Sequence, residues 1–250
     1  MFIAKEIRKQ ARQLLQGNYW KIFLVTLLGA IFTTGISVMV NIFTRNGYSA
    51  QASWSNILSI LGYFFTAAAT GVLLQFVRGQ LDENFQPFER WLHFLKSPYF
   101  MPILLTGVMV FVYTLLWAIP FIVGTVLMIV GVAGLYAHGG SVFGLFVFIG
   151  IGVMLVGLVI IIWKPIRYLF AVNATFDLVD QNGSLQSASQ AVDSSKELME
   201  GHVWDFIRLN LSFIGWYILA MVTFGVGLIF LIPYTSLANV LFYERLVQEK

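Results

Sequence analysis

Long apolar runs alternate with short polar segments along the whole chain. The longest run without Asp, Glu, Lys or Arg covers residues 97–163, a stretch of 67 residues, and about 20 apolar residues suffice to cross a bilayer. At least two spans therefore lie inside it, with a turn predicted at 137–141, where two glycines interrupt the run. Pro120 and Pro165 predict kinks, because neighbouring helices can satisfy the carbonyls that a proline leaves free. A further crossing on each side of Pro120 is the less favoured alternative.

The same pattern predicts a single polytopic membrane domain over residues 1–250, an all-α bundle of about six transmembrane helices. The polar segment 41–56 separates the first two spans, and residues 203–240 hold either two spans or a single one that ends at Pro233. The positive-inside rule favours six spans with both termini in the cytoplasm, because 14 of the 15 basic residues then lie inside, against 12 with five spans. The predicted spans are about 20–40, 57–77, 100–132, 142–165, 205–222 and 227–243.

Two further segments have the apolar periodicity of amphipathic helices on the cytoplasmic side. In residues 4–16, apolar positions recur at helical spacing and Gly17 is a candidate C-cap. In residues 184–200, Ser184 is a candidate N-cap and Gly201 a candidate C-cap. Basic residues interleave the first helix and predict a surface that faces anionic lipid, made by Lys5, Arg8, Lys9 and Arg12.

Composition places the chain in the bilayer. It is 58% hydrophobic and 11% charged, whereas charged residues make up about a quarter of an average soluble protein. The net charge of +3 does not indicate a nucleic-acid partner, because the basic residues flank the apolar runs instead of forming a patch. The chain has no cysteine, which excludes disulfides, thiolate metal sites and cysteine nucleophiles.

Few residues could take part in catalysis or in binding a ligand. No predicted span carries an ionisable residue near its centre, and His138 falls at the predicted turn. The carboxylates between Asp177 and Asp205 lack a metal-binding spacing and are interpreted as a solvated helix face. Asn173 and Asn210 lie in apolar surroundings and predict polar contacts within the bundle, with hydrogen bonding between helices favoured over contact with a substrate. We predict no catalytic, cofactor-binding or metal-binding residue.

Several motifs resemble one known family. The segment between residues 191 and 243 contains AVDSSKELMEGHVWDF, LSFIGW, TFGVGLIFLIPY and LFYERL, the chain opens with IRKQARQLLQGNYW, and the loop FVRGQLDENFQPFERWLHFL matches more weakly. These motifs resemble a family of uncharacterised membrane proteins from Gram-positive bacteria, domain of unknown function nine-seven-five. The resemblance implies a polytopic membrane domain of roughly six helices, and it brings no activity, substrate or catalytic residue.

A helical bundle without recognisable catalytic groups favours a non-enzymatic protein of the bacterial plasma membrane. We expect it to bind or move a lipid or small amphipathic molecule, or to serve as an accessory membrane subunit, with the bilayer as its partner and no cofactor. A secondary transporter is the alternative. The TFGVG motif and Pro120, where a helix could be interrupted, are the only sequence features that favour it. A membrane enzyme that acts on lipid-borne substrates at the cytoplasmic face through residues 164–208 is the second alternative.

Overall fold

The computed structural model describes residues 2–29, 48–81, 85–96 and 98–249. Residues 30–40 of the predicted first span lie outside the described residues. Within the described part the chain forms helices joined by turns and no strand. The helices are α1 (Phe2–Leu15), α2 (Tyr19–Gly29), α3 (Tyr48–Val77), α4 (Pro87–Phe94), α5 (Phe100–His138), α6 (Ser141–Ile166), α7 (Ala171–Asn182), α8 (Gln190–Leu198), α9 (Val203–Leu211), α10 (Ile214–Val222) and α11 (Val226–Gln248).

Four of the described helical stretches are long and apolar enough to cross a membrane. They are Phe100–Ala137, Ser141–Asn182, Val203–Val222 and Val226–Gln248. The second stretch joins α6 to α7 through one turn, and the third joins α9 to α10 in the same way. The chain is therefore all-helical in its described part and has the helices of a membrane protein.

The helices α5 and α6 form a long antiparallel hairpin whose outer surface is apolar. The turn lies at Gly139 and Gly140, which both have positive φ, and α5 continues through Pro120 without a break. Glycines let the two backbones approach closely: a Cβ on Gly150 would lie 2.5 Å from the amide nitrogen of Met128. Exposed apolar side chains such as Phe148, at 79%, cover the outside, as a lipid-facing surface requires.

The remaining helices pack around an aromatic core near the ends of α3 and α7. The Phe94 ring lies 4.9 Å from the Phe176 ring, and a Cβ on Gly71 would come within 2.9 Å of both rings. Trp91 is 1% exposed, and its indole N–H donates a hydrogen bond to the Phe65 carbonyl. The loop that contains α4 is thus anchored by buried rings, because only glycine at position 71 leaves room for them.

Helix boundaries differ from the sequence interpretation in several places, of which two concern polar segments. Residues 48–56, expected to be part of a polar connecting segment, belong to α3. The second amphipathic helix begins at Gln190 instead of Ser184 and ends at Leu198. Its expected first turn is replaced by local side-chain bonds, since the Gln186 amide donates to the Gln190 carboxamide and Ser187 bonds Ser189. Such bonds compete with helix formation.

The apolar face of α1 is covered by protein. Ile7 is 1% exposed and Ala11 is fully buried, in contact with the core that α9 and α11 share. Lys5, Lys9 and Arg12 are exposed on the opposite side, while Arg8 is half-buried. The amphipathic character of α1 therefore serves packing, and its predicted role against lipid rests on the basic side chains alone.

Candidate binding cavity

A cavity of about 450 Å³ lies between α2, α3, α9, α11 and the junction of α6 with α7, and is called here the central cavity. Its volume falls within the range of about 300 to 1,000 Å³ typical of small-molecule sites. None of the described residues that line it is charged. Those residues are Thr26, Gly29, Thr66, Ala69, Thr70, Leu73, Leu169, Phe170, Asn173, Phe206, Ile232, Ser236, Asn239 and Val240.

Two carboxamides in the wall of the central cavity carry atoms without a hydrogen-bond partner. Asn173 is 4% exposed, and its Nδ2 is buried and unpaired among the described residues. The Oδ1 of Asn239 is also buried and unpaired there. An unpaired buried polar group costs about 1 to 3 kcal/mol, so a group that hydrogen-bonds these amides from within the cavity would remove that cost.

The threonines in the same wall are already satisfied. Thr66 donates to the Gly62 carbonyl, and Thr70 donates to the Thr66 carbonyl. Thr26 donates to the carbonyls of Ile22 and Phe23. Each of these threonine hydroxyls donates within its own helix, whereas the two carboxamides carry the buried, unpaired atoms of the described wall.

Small residues on α3 shape this region. Ala67 and Ala68 are 2% and 0% exposed, and α3 packs against α7, as small residues allow. Phe170, at the start of α7, stacks on Phe242 of α11 with ring centroids 5.9 Å apart. The cavity therefore has walls that packing holds in place.

An ion-pair network lies close to the central cavity. The Arg78 guanidinium, just after α3, is 2.7 Å from the Asp177 carboxylate in α7 and 2.6 Å from the Glu244 carboxylate in α11. Burial alone would lower the pKa of Arg78, but the hydrogen bonds and charges of Asp177 and Glu244 outweigh it and raise the pKa. Arg78 is therefore a permanent cation that joins three helices. Glu244 follows Asn239 by five residues, about 7.5 Å of helix.

The two asparagines singled out from the sequence have different environments. Asn173 lines the central cavity, whereas Asn210 donates to the Phe206 carbonyl of its own helix at 3.0 Å. Neither amide makes a side-chain bond to another helix in the described part of the chain. Asn239 was missed, although the sequence carries the same signal for it: an amide among apolar residues in SLANVLF.

The carboxylates between Asp177 and Asp205 lie in different environments. The interpretation of Asp177 as part of a solvated face was wrong: its side chain is 13% exposed and bound to Arg78, because α7 packs against α3. Asp180 accepts a 2.8 Å hydrogen bond from Tyr99. Burial raises the pKa of Tyr99 to about 12, with help from this bond. Among the described residues, no three His, Asp or Glu side chains gather to hold a metal ion.

The described part of the chain is that of a helical membrane protein, with four apolar helices long enough to cross a membrane and a cavity whose described lining carries no charged residue. The chain belongs to the family described as "Protein of unknown function (DUF975)", whose model matches residues 1–250. Searches of curated proteins and of solved structures found no match.

Proposed function

We propose that this protein is a non-enzymatic component of the bacterial plasma membrane that binds an uncharged amphipathic molecule in the central cavity. The observation that carries the proposal is the buried, unpaired amide of Asn173 in the cavity wall. A buried polar group normally has a partner. A molecule whose polar end enters the cavity supplies one.

The chemistry of the wall selects the class of molecule. The described lining offers amide N–H and C=O groups and apolar surface, but no charge. A charged group would be desolvated there without a counter-ion, which is costly. Hydroxyl, carbonyl and amide groups pair with Asn173 and Asn239 without that cost. The expected occupant is therefore a neutral molecule with an apolar body, such as a lipid alcohol or an acylated amide.

Contacts between distant segments support the topology with six spans. Arg78, Asp177 and Glu244 come from three segments that the charge pattern assigns to the cytoplasm, and they meet in one network. Glu6 of α1 is 3.3 Å from Arg245 near the end of α11. The five-span alternative would place these two residues on opposite sides of the membrane. We propose that both lie in the cytoplasm.

The test compares Asn173→Leu with a matched control, Asn210→Leu. Both changes replace an asparagine with an apolar residue of similar size, but Asn210 does not line the central cavity. Each full-length variant is extracted into nanodiscs from native membranes, and the molecules that co-purify are identified by mass spectrometry. We expect the wild type and Asn210→Leu to retain a neutral amphipathic molecule that Asn173→Leu has lost.

Thermal unfolding without added ligand separates loss of binding from loss of structure. Asn173→Leu removes an unpaired polar group, so its melting temperature should be unchanged or higher, by the equivalent of about 1 kcal/mol. Retention of the same molecules by all three proteins, or only bulk lipid in the wild type, would refute the proposal.

A further inference from the structure

A second concavity of about 690 Å³ lies between the corner of α1 and α2 and the hairpin of α10 and α11, and is called here the interfacial groove. It is separate from the central cavity, with which it shares no described lining residue. Its walls are aromatic and aliphatic, with Trp216 and Leu219 from α10 and Phe230 and Tyr234 from α11. Arg12 of α1 lies on its rim.

Hydrogen bonds and ring contacts hold the walls of the interfacial groove together. The Tyr19 hydroxyl donates to the Ile229 carbonyl at 2.8 Å, and its ring stacks on Phe230 with centroids 5.6 Å apart. The Tyr234 hydroxyl donates to the Arg8 carbonyl at 3.1 Å. These bonds tie α1 and α2 to α11, so the groove exists before anything occupies it.

Positive charge is concentrated at the α1 end of the groove. Arg12 is exposed and forms no ion pair in the part of the chain that the structure describes. Arg8, one turn earlier, is half-buried, and its Nε is buried without a hydrogen-bond partner there. No acidic residue is among the described groove residues. The Arg12 guanidinium thus stands at one end of an apolar channel, and Arg8, whose Nη1 donates to the Ser212 carbonyl at 3.5 Å, adds positive charge from behind the wall.

The basic and apolar parts of the groove follow one another along α11. Arg12 and Tyr234 line one end, where Tyr234 also bonds Arg8 of α1, and Tyr19 stacks on Phe230 one helical turn further along. From there the groove continues towards Thr223 and Gly227 at the turn between α10 and α11. The groove therefore has a polar end followed by an apolar channel, in the same order as the headgroup and acyl chains of a phospholipid.

We propose that the interfacial groove binds one anionic phospholipid, with its phosphate on Arg12 and an acyl chain along Trp216, Leu219 and Phe230. An arginine suits this task because its planar fork of N–H groups bonds two phosphate oxygens at once. Arg8 adds a second positive charge, which favours a lipid with net negative charge over a zwitterionic one. The lipid seals the joint between α1, α10 and α11 from the membrane side.

The experiment measures binding of two defined lipids to the full-length protein by native mass spectrometry after delipidation. The lipids are phosphatidylglycerol and phosphatidylcholine with the same acyl chains. We expect the wild type to prefer phosphatidylglycerol. Arg12→Gln should weaken the binding of phosphatidylglycerol about fivefold, the effect of one basic residue at a membrane surface. Arg12→Lys keeps the charge and should weaken this binding less.

The matched control is Lys9→Gln, since Lys9 is exposed on the same helix but does not line the groove. It should bind phosphatidylglycerol like the wild type. A second variant, Leu219→Trp, keeps both arginines and fills the apolar channel, so it should also weaken binding.

Three results would overturn the proposal. Equal losses in Lys9→Gln and Arg12→Gln would mean diffuse attraction to a basic surface. Equal binding of the two lipids would remove the selectivity for anionic headgroups. If glycerol 3-phosphate competed as effectively as phosphatidylglycerol, the acyl chain would contribute nothing to binding. Asn173→Leu should leave this binding unchanged, which keeps the test independent of the central cavity.

Discussion

The Tyr243 hydroxyl of α11 donates a 2.5 Å hydrogen bond to Asp177 Oδ2 of α7. The same carboxylate pairs with Arg78, so one side chain of α7 is held from two other helices. Since buried ion pairs gain little over apolar packing but are costly to break, the network specifies how the helix ends fit together.

We expect Arg78→Met to destabilise the protein strongly, because it leaves Asp177 and Glu244 close together without a cation. The expected loss is about 3 kcal/mol in the free energy of unfolding. Arg208→Met is the matched control: the Arg208 side chain is 63% exposed and 3.5 Å from Asp205, so its loss should cost less than about 1 kcal/mol. Thermal unfolding in detergent measures both, and equal shifts would contradict the structural role of Arg78.

The burial of Tyr99, together with its hydrogen bond to Asp180, predicts that stability depends on alkaline pH. The pKa of Tyr99 is about 12 in the folded protein and 10.0 in the unfolded chain. The phenol therefore contributes stability below pH 10 that is lost as the pH rises through 12. Tyr99→Phe has no phenol to ionise. The melting temperature of the wild type should therefore exceed that of Tyr99→Phe by less and less as the pH rises from 10 to 12. A constant difference from pH 8 to 12 would show that Tyr99 does not titrate in this way.

Two glycines of α6 should respond oppositely to alanine. A Cβ on Gly150 would press into the backbone of α5 near Met128, whereas one on Gly152 would meet nothing within 4 Å. Gly150→Ala should therefore lower the melting temperature. Gly152→Ala should leave it unchanged or raise it, since alanine favours a helix over glycine by about 1 kcal/mol. Similar effects at both positions would mean that α5 and α6 are not packed along this seam.

Membrane topology can be tested directly, because the chain has no cysteine of its own. Single cysteines at Ser187, Ser141 and Gln248, all exposed positions, would be labelled with a membrane-impermeant maleimide in intact and permeabilised cells. With six spans, Ser141→Cys should react in intact cells, and the other two only after permeabilisation. Reaction of Gln248→Cys in intact cells would favour five spans.

The apolar runs and the glycine pair were enough to predict an all-helical protein with a hairpin near residues 139 and 140, because these are local properties of the chain. The family match confirms the resemblance that the terminal motifs carry. Boundaries were harder to predict where local side-chain bonds decided them, as at Ser187.

The candidate site was predicted in part. Asn173 stood out because an amide in an apolar helix needs a partner, and the same rule would have found Asn239. Its fellow candidate Asn210 looked equivalent in sequence, yet its amide is satisfied by its own helix. Nothing in the spacing of residues shows which face of a polar helix meets another, so Asp177 was assigned to solvent.

The sequence by itself determined that the chain is apolar enough for a bilayer and which segments are helical, since both follow from hydrophobicity and its period. Only the tertiary structure decided which polar groups meet. Arg78, Asp177 and Glu244 are separated by 99 and 67 residues along the chain, and Asn173 and Asn239 by 66. Their proximity depends on how the helices pack, and packing is set by close contacts such as that of Gly71 with Phe94 and Phe176.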